Sequence, residues 1–394
     1  MDAPALKVLQ VCPYDIRRAG GVQRHVIDLS NALAGAGHAV TIVAPAGAGD
    51  SPALHPGVTL VALGTFREWR MHGTRFEVTR VCAAELERFI ANAAAAPFDV
   101  AHFHTPWTPF MSWPLYRRAK AFAKRKVATF HDTPPPGAGG AATRAVFRVL
   151  SRRLSRTLDA MIAVSGAPAR HLRPVEGCPL VLLPPCVDLT PYARLQRPES
   201  GSAPTVLFVG RLEPRKGVLM LIEAFARVRA DHPAARLVIC GDGEQRPAAT
   251  RLAASRAVSG AVTFTGALSD AAKLALYGQA QVFCAPSPYG ESYGLVIAEA
   301  MAAGVPVVAA ANAGYASVLT GEGAAGLAPP GDTAALARCL SALLASQALR
   351  AKLSAWGLAH AARADVNARL ADFLDLYRAS RTGPAGETSP RAGA

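Results

Sequence analysis

Residues 7–44, KVLQVCPYDIRRAGGVQRHVIDLSNALAGAGHAVTIVA, decide the fold. Residues 7–12 form a short apolar run of buried-strand type. A glycine pair, Gly20 and Gly21, comes next. Val22, Val26, Leu29 and Leu33 then recur at i, i+4, i+7 and i+11, which marks one face of a helix. Gly35 and Gly37 suit its C-terminal end, and residues 40–44 read as the next strand. Strand, glycine loop, helix, strand is the grammar of a parallel α/β sheet. Strand-like runs at 58–63, 100–103, 127–130, 161–164 and 181–183 continue it.

Residues 191–204 (PYARLQRPESGSAP) are polar, with three prolines, and read as an interdomain linker. The grammar then restarts, with strands expected at 206–209, 237–240, 262–264, 282–285 and 305–309. Helices are expected at 218–229, 271–279 and 294–303. The expectation is therefore two doubly wound α/β domains, 1–195 and 203–357. Ligands should lie at the carboxyl ends of the strands, in a cleft between the halves. A long helix is expected at 358–380, and a disordered Gly/Pro/Ser/Thr tail at 381–394.

The composition agrees. A chain of 394 residues suggests two or three domains. With 51% hydrophobic and 18% charged residues it can build large cores, which excludes a disordered chain. The seven cysteines are an odd number and none has CxxC spacing, which argues against a disulfide scaffold or a structural zinc site. Residues 1–10 lack the basic and apolar regions of a secretory signal. Residues 295–314 imitate a membrane span, but they contain Glu299, Gly304 and Pro306. A mid-span carboxylate costs about 2.5–3.5 kcal/mol, so a buried helix, a turn and a buried strand are expected. The expected location is cytoplasmic, soluble or peripheral on a membrane.

The net charge is +14, and residues 117–156 alone carry +10, with only Asp132 opposing the bases. Nucleic-acid binding would want aromatic residues interleaved with the bases or a known module, and neither is evident. Residues 145–158 (AVFRVLSRRLSRTL) place Val146, Val149, Leu150 and Leu154 at helical spacing between arginines. Such a helix can lie on an anionic membrane surface, or it can dock on a sheet like any surface helix.

Four groups could carry chemistry. Gly20 and Gly21 open a helix whose N-terminus favours an anion, although many glycine loops are only turns. Arg211, Arg215 and Lys216 follow a strand and could hold a diphosphate, or form a solvated turn. The loop Gly290-Glu291-Ser292-Tyr293-Gly294 offers amides at a helix start. Glu299 stands eight residues after Glu291, about 12 Å along a helix axis. In so apolar a helix Glu299 needs a partner, a ribose hydroxyl pair or an internal ion pair. His131 ends a strand, as an active-site or a structural histidine. His102 and His104 end another, but with no third ligand evident zinc is not expected.

Together, GGVQRH (20–25), VGRLEPRKG (209–217) and ESYGLVIAE (291–299) resemble glycosyltransferase family 4, with its E-x7-E signature. The likeness runs from Lys7 to about Arg378. CPY (12–14), FDVAHFH, VATFH and CAPSPYGESYG are similar to its bacterial phosphatidylinositol mannosyltransferase subgroup. The match is looser over 47–97 and 133–156.

The resemblance implies a GT-B fold, two Rossmann-like domains facing a central cleft, with the last helix crossing back to the first domain. It implies a retaining, metal-independent transfer from a nucleotide sugar, with no cofactor. Arg211 and Lys216 would hold the diphosphate, Glu299 the ribose, and Glu291 with Ser292, Tyr293 and Gly294 the sugar and phosphate. Arg215 and Gly241 join the donor site. His131 would touch the donor sugar, Gly20 and Gly21 would leave room for the diphosphate, and Tyr14 and Gln23 would face the acceptor. The subgroup suggests GDP-mannose and a lipid acceptor at the cytoplasmic membrane face. Asp270 could accept from a guanine edge, or Ser269 or Asp270 could cap a helix. A UDP-sugar with a polysaccharide acceptor, a nucleotide-sugar 2-epimerase and a non-catalytic scaffold are the competing readings.

Overall fold

A computed structural model describes residues 4–47, 51–71, 74–135, 137–195 and 203–379. The chain divides after Val187 and again after Asp365 into two compact units. In the N-terminal unit the strands are β1 (Lys7–Val11), β2 (Ala39–Ala46), β3 (Val58–Met71), β4 (Thr74–Arg80), β5 (Phe98–His104), β6 (Ala123–Phe130), β7 (Ala160–Ala163) and β8 (Leu180–Leu182). They form one sheet in the order β4-β3-β2-β1-β5-β6-β7-β8. Helix α1 (Gly21–Gly35) packs Val26, Leu29 and Leu33 on one face. The other face is covered by α2 (Ala83–Ala95), α3 (Ser112–Arg118) and the end of α4 (Ala141–Ser155), around Phe103, Phe122 and Leu154. A short α5 (Gly166–Ala169) follows β7.

In the C-terminal unit β9 (Thr205–Val209), β10 (Arg236–Cys240), β11 (Val262–Gly266), β12 (Val282–Ala285), β13 (Val307–Ala310) and β14 (Leu327–Ala328) pair in parallel. Their order is β11-β10-β9-β12-β13-β14. Helices α6 (Thr190–Ala193), α7 (Val218–Asp231), α8 (Arg246–Ser255), α9 (Asp270–Gln279), α10 (Leu295–Ala302), α11 (Ala313–Val318), α12 (Thr333–Ala345) and α13 (Gln347–Ala364) complete it. In each sheet the strand order reverses once, between β1 and β5 and between β9 and β12. The switch-point rule places a ligand beyond the carboxyl ends of those strands.

Two expectations need correction. The first crossing falls at Val187, earlier than residue 195, because α6 packs into the C-terminal unit, where the Tyr192 ring meets the Tyr277 ring edge-on at 5.3 Å. The expected helix at 358–380 is two helices, α13 and α14 (Val366–Arg378). The break is fixed by long-range bonds. Leu189 N donates to Asp365 Oδ2 at 3.0 Å, and Val366 N donates to Val187 O at 3.0 Å. After the break α14 belongs to the N-terminal unit, burying Val366, Phe373 and Tyr377 with the α1 face of the sheet. The tail 381–394 and linker residues 196–202 lie outside the described residues.

Residues 295–314 form α10, a turn and β13, and no helix among the described residues is long and apolar enough to cross a membrane. None of the seven cysteines is in a disulfide. Five are buried, whereas Cys82 is exposed and caps α2, accepting from Glu85 N.

Candidate active site

In the C-terminal unit the chain leaves β9 through Gly210 and Arg211 into a 3-10 turn, Pro214–Lys216. Gly217 closes the turn at φ 72°, and a Cβ there would stand 2.5 Å from the Pro286 carbonyl oxygen, so only glycine fits. The turn aims Arg215 Nη1 and Lys216 Nζ at one oxygen, Glu291 Oε1, at 2.6 and 2.8 Å. Glu291 is 7% exposed. Burial pushes its carboxyl up, but the Lys216 and Arg215 charges outweigh burial and hold it below its ordinary range. Lys216 is pushed down by burial, with the Glu291 charge opposing and the Arg215 charge adding. Two cations sharing one carboxylate leave an excess of positive charge at the switch point. Arg211 is half exposed and bonded to buried Glu213 at 2.8 Å.

The loop that carries Glu291 is braced from behind. Asn312 Oδ1 caps α11, accepting from Gly314 N and Tyr315 N at 3.0 Å, and its Nδ2 donates to Ser287 O at 2.8 Å. Tyr315 Oη bonds Ser287 Oγ at 3.2 Å. A Cβ on Gly314 would fall 2.3 Å from the Glu291 carbonyl oxygen. Gly294, at φ 96°, turns the chain from Ser292 and Tyr293 into α10, whose first amides have no partner within the helix. Glu291 precedes the helix, so the two glutamates do not lie 12 Å apart along one axis as expected.

Glu299 is buried on α10 and has internal partners. Tyr277 Oη donates to Oε2 at 2.8 Å, and Lys273 Nζ is 3.5 Å from Oε1. Lys273 also reaches Asp270 at 3.2 Å. Ser269 is the cap of α9, accepting from Ala272 N, and the Asp270 side chain stands 78% exposed in the first turn. A Cβ on Gly241 would lie 2.0 Å from the Gly210 carbonyl oxygen, so strand-end packing alone explains that glycine.

In the N-terminal unit Gly20 and Gly21 are exposed at the start of α1, with Gln23 buried and folded over Gly20. Tyr14 follows β1, and burial and then the Asp132 charge push its phenol up. Trp107 Nε1 donates to Asp132 Oδ2 at 2.8 Å, and the Trp107 ring stacks on Phe147 of α4 at 4.0 Å. On α4 the expected apolar row splits. Leu154 is fully buried, while Val146 and Val149 are 51% and 53% exposed among exposed arginines.

His131 belongs to a cluster. His25, His104 and His131 bring ring nitrogens within 4.8 Å of one another, so the expectation that no third ligand stands with His102 and His104 is corrected for His104, whose neighbours are His25 and His131, in a group without His102. Burial keeps His104 and His131 neutral, well below the ordinary histidine range, and holds His25 at about 4. His104 Nδ1 is 3.2 Å from His131 Nε2, and His104 Nε2 is 2.8 Å from Gln10 Oε1.

Sequence reasoning missed Gln10, His25 and Tyr377, the Lys273–Tyr277 pair, and the Ser287–Asn312–Tyr315 brace. His25 stands inside the GGVQRH stretch, on the Leu29 face of α1, and that spacing was a usable signal. Tyr377 lies 367 residues from Gln10 and left none.

Residues 19–191 match Glycosyltransferase Family 4, and residues 193–357 match Glycosyl transferases group 1. A phosphatidyl-myo-inositol mannosyltransferase of Mycobacterium leprae is 32% identical over 384 residues, 96% of this chain and 98% of the relative. A glycogen synthase of Mycobacterium tuberculosis is also 32% identical, over 350 residues and 82% of each chain. The solved sucrose-phosphate synthase of Thermosynechococcus elongatus superposes with a TM-score of 0.74 at 24% identity, covering 95% of this chain and 98% of that one. The chain belongs to glycosyltransferase family 4, as a retaining hexosyltransferase of GT-B fold that uses a nucleotide-sugar donor.

Proposed function

We propose that the protein transfers a mannosyl group from GDP-mannose to a phosphoinositide-type lipid at the cytoplasmic face of a membrane. Near-full-length similarity to phosphatidyl-myo-inositol mannosyltransferases carries this reading. Helix α4 supports it, since exposed Val146 and Val149 lie beside Arg148, Arg152 and Arg153, as a lipid surface wants.

In the C-terminal unit Arg211, Arg215 and Lys216 hold the diphosphate. Glu299 takes the ribose, Asp270 the base, and Glu291 with Ser292, Tyr293 and Gly294 the sugar and phosphate. In the N-terminal unit Gly20 and Gly21 serve the donor, His131 meets its hexosyl group, and Tyr14 and Gln23 face the acceptor. As the bond from sugar C1 to phosphate oxygen breaks, the acceptor oxygen bonds C1 on the same face. The acceptor proton goes to the departing phosphate. Charge growing on that phosphate is stabilised by fixed cations and helix amides, with no metal and no glycosidase-type carboxylate pair required.

The test is transfer from labelled GDP-mannose to phosphatidylinositol in vesicles, with the lipid product identified by mass. A mannosylated phosphatidylinositol is expected. Transfer only from UDP-glucose, and only to a soluble glucan, would replace this proposal. The glycogen synthase relative keeps that second reading in play.

A further inference from the structure

The histidine cluster has a direction. Gln10 Nε2 donates to Tyr377 Oη at 3.2 Å, which turns Gln10 Oε1 to His104 Nε2 at 2.8 Å. An amide oxygen only accepts, so His104 Nε2 carries a hydrogen. A neutral imidazole has one N–H, so His104 Nδ1 is a lone pair. His131 Nε2, 3.2 Å away, must supply the hydrogen between them. That uses the single N–H of His131. At the far end Tyr377 Oη also lies 2.7 Å from His102 Nδ1, and His102 Nε2 lies 2.7 Å from Thr129 Oγ1. His25 follows suit, since its Nδ1 donates to the Cys186 carbonyl at 3.1 Å. Its Nε2 is a buried lone pair with no hydrogen-bond partner among the described residues. Of the three clustered rings, His131 is the one partly exposed.

We propose that Gln10, Tyr377 and His104 are positioning residues that hold His131 as the Nε2–H tautomer. Its Nδ1 then presents only a lone pair and selects hexosyl groups that offer a hydroxyl hydrogen there. This rests on the proposal that His131 meets the donor's hexosyl group. A uronate carboxylate at the same place brings an acceptor to an acceptor and is disfavoured. Helix α14 thus takes part in donor selection through one phenol, although Tyr377 touches no substrate.

Two measurements on the full chain test this. First, nitrogen-15 spectra of histidine-labelled protein read the tautomer without any ligand. The wild type should show His131 protonated on Nε2, and Gln10→Met, which keeps the side chain's shape, should lose that preference. His131 protonated on Nδ1 in the wild type overturns the proposal. Second, calorimetry compares GDP-mannose with GDP and UDP-glucose with UDP. Gln10→Met should weaken the nucleotide sugar that binds by about ten-fold, as for one lost hydrogen bond at a partly buried group, and leave the bare nucleotide unchanged. Equal weakening of both, or of neither, overturns the selection. His131→Ala separates the two ideas. If it weakens the nucleotide sugar while Gln10→Met does not, the sugar contact stands and the positioning role falls. If it leaves the nucleotide sugars bound as in the wild type, the sugar contact itself falls, and the selection with it.

Discussion

Lys216→Ala separates structure from chemistry at the switch point of the C-terminal unit. Lys216 Nζ is 2.8 Å from Glu291 Oε1, but Arg215 Nη1 is 2.6 Å from the same oxygen. Removing the lysine therefore leaves the buried carboxylate paired. The stability loss should be that of one charged hydrogen bond, about 1.5–3 kcal/mol. Stranding a buried charge would cost about 3–5 kcal/mol. For a unit of this size, 2 kcal/mol is about 4–8 °C in melting midpoint, so the variant should fold. Turnover should fall by about 10²–10³-fold, because a fixed cation facing charge that grows on the leaving phosphate acts most strongly in the transition state. The assay is the initial rate of nucleoside diphosphate release with donor and acceptor saturating, alongside a thermal melt. A folded variant with undiminished turnover would refute the diphosphate assignment. A fully unfolded one would refute the claim that Arg215 suffices to hold Glu291.

Glu291, whose folded pKa is depressed, contributes stability that is complete above the ordinary value of 4.5 and lost as pH falls through the folded value. Glu291→Gln should flatten the acid limb of a urea-midpoint profile, and an unchanged slope would contradict the paired-carboxylate geometry. Gly314→Ala would drive a methyl into the Glu291 carbonyl oxygen and should destabilise the C-terminal unit by about 1–3 kcal/mol while weakening donor binding. A chemical melt and calorimetry check both, and unchanged values would mean the loop is not braced there. Replacing Arg148, Arg152 and Arg153 together by glutamine should weaken sedimentation with anionic vesicles by about 100-fold. Undiminished binding would take α4 out of membrane contact. Excess EDTA should leave the transfer rate unchanged, and a loss reversed by added zinc would instead make His25, His104 and His131 metal ligands.

Much of the fold was legible because parallel strands buried on both faces leave continuous apolar runs, as at β9, β12 and β13. The motif residues were legible because glycine and charge at strand ends stand out from those runs. The partners were not. Glu299 in an apolar helix announced a need, but its answer, Tyr277 and Lys273, sits on another helix with ordinary amphipathic spacing. The break at Asp365 was invisible because the bonds that fix it come from residues 187–189. The row Val146, Val149, Leu150, Leu154 looked uniform, yet only its end reaches the sheet. The histidine cluster was invisible because β1, β5 and β6 must pair in register, with Gln10 opposite His102 and His104 opposite Thr129, before α1 brings His25 to it.

The central claim, a hexosyltransferase using a guanosine-linked donor, is tested most directly by thermal shift of the purified protein against GDP, UDP, ADP, GDP-mannose and UDP-glucose, without metal. A ligand at 100 times its dissociation constant adds ~2.7 kcal/mol. A selective rise with GDP and GDP-mannose is the expected result. A rise with the uridine pair alone would contradict the mannosyl assignment, and no rise with any of the five would contradict nucleotide-sugar binding altogether.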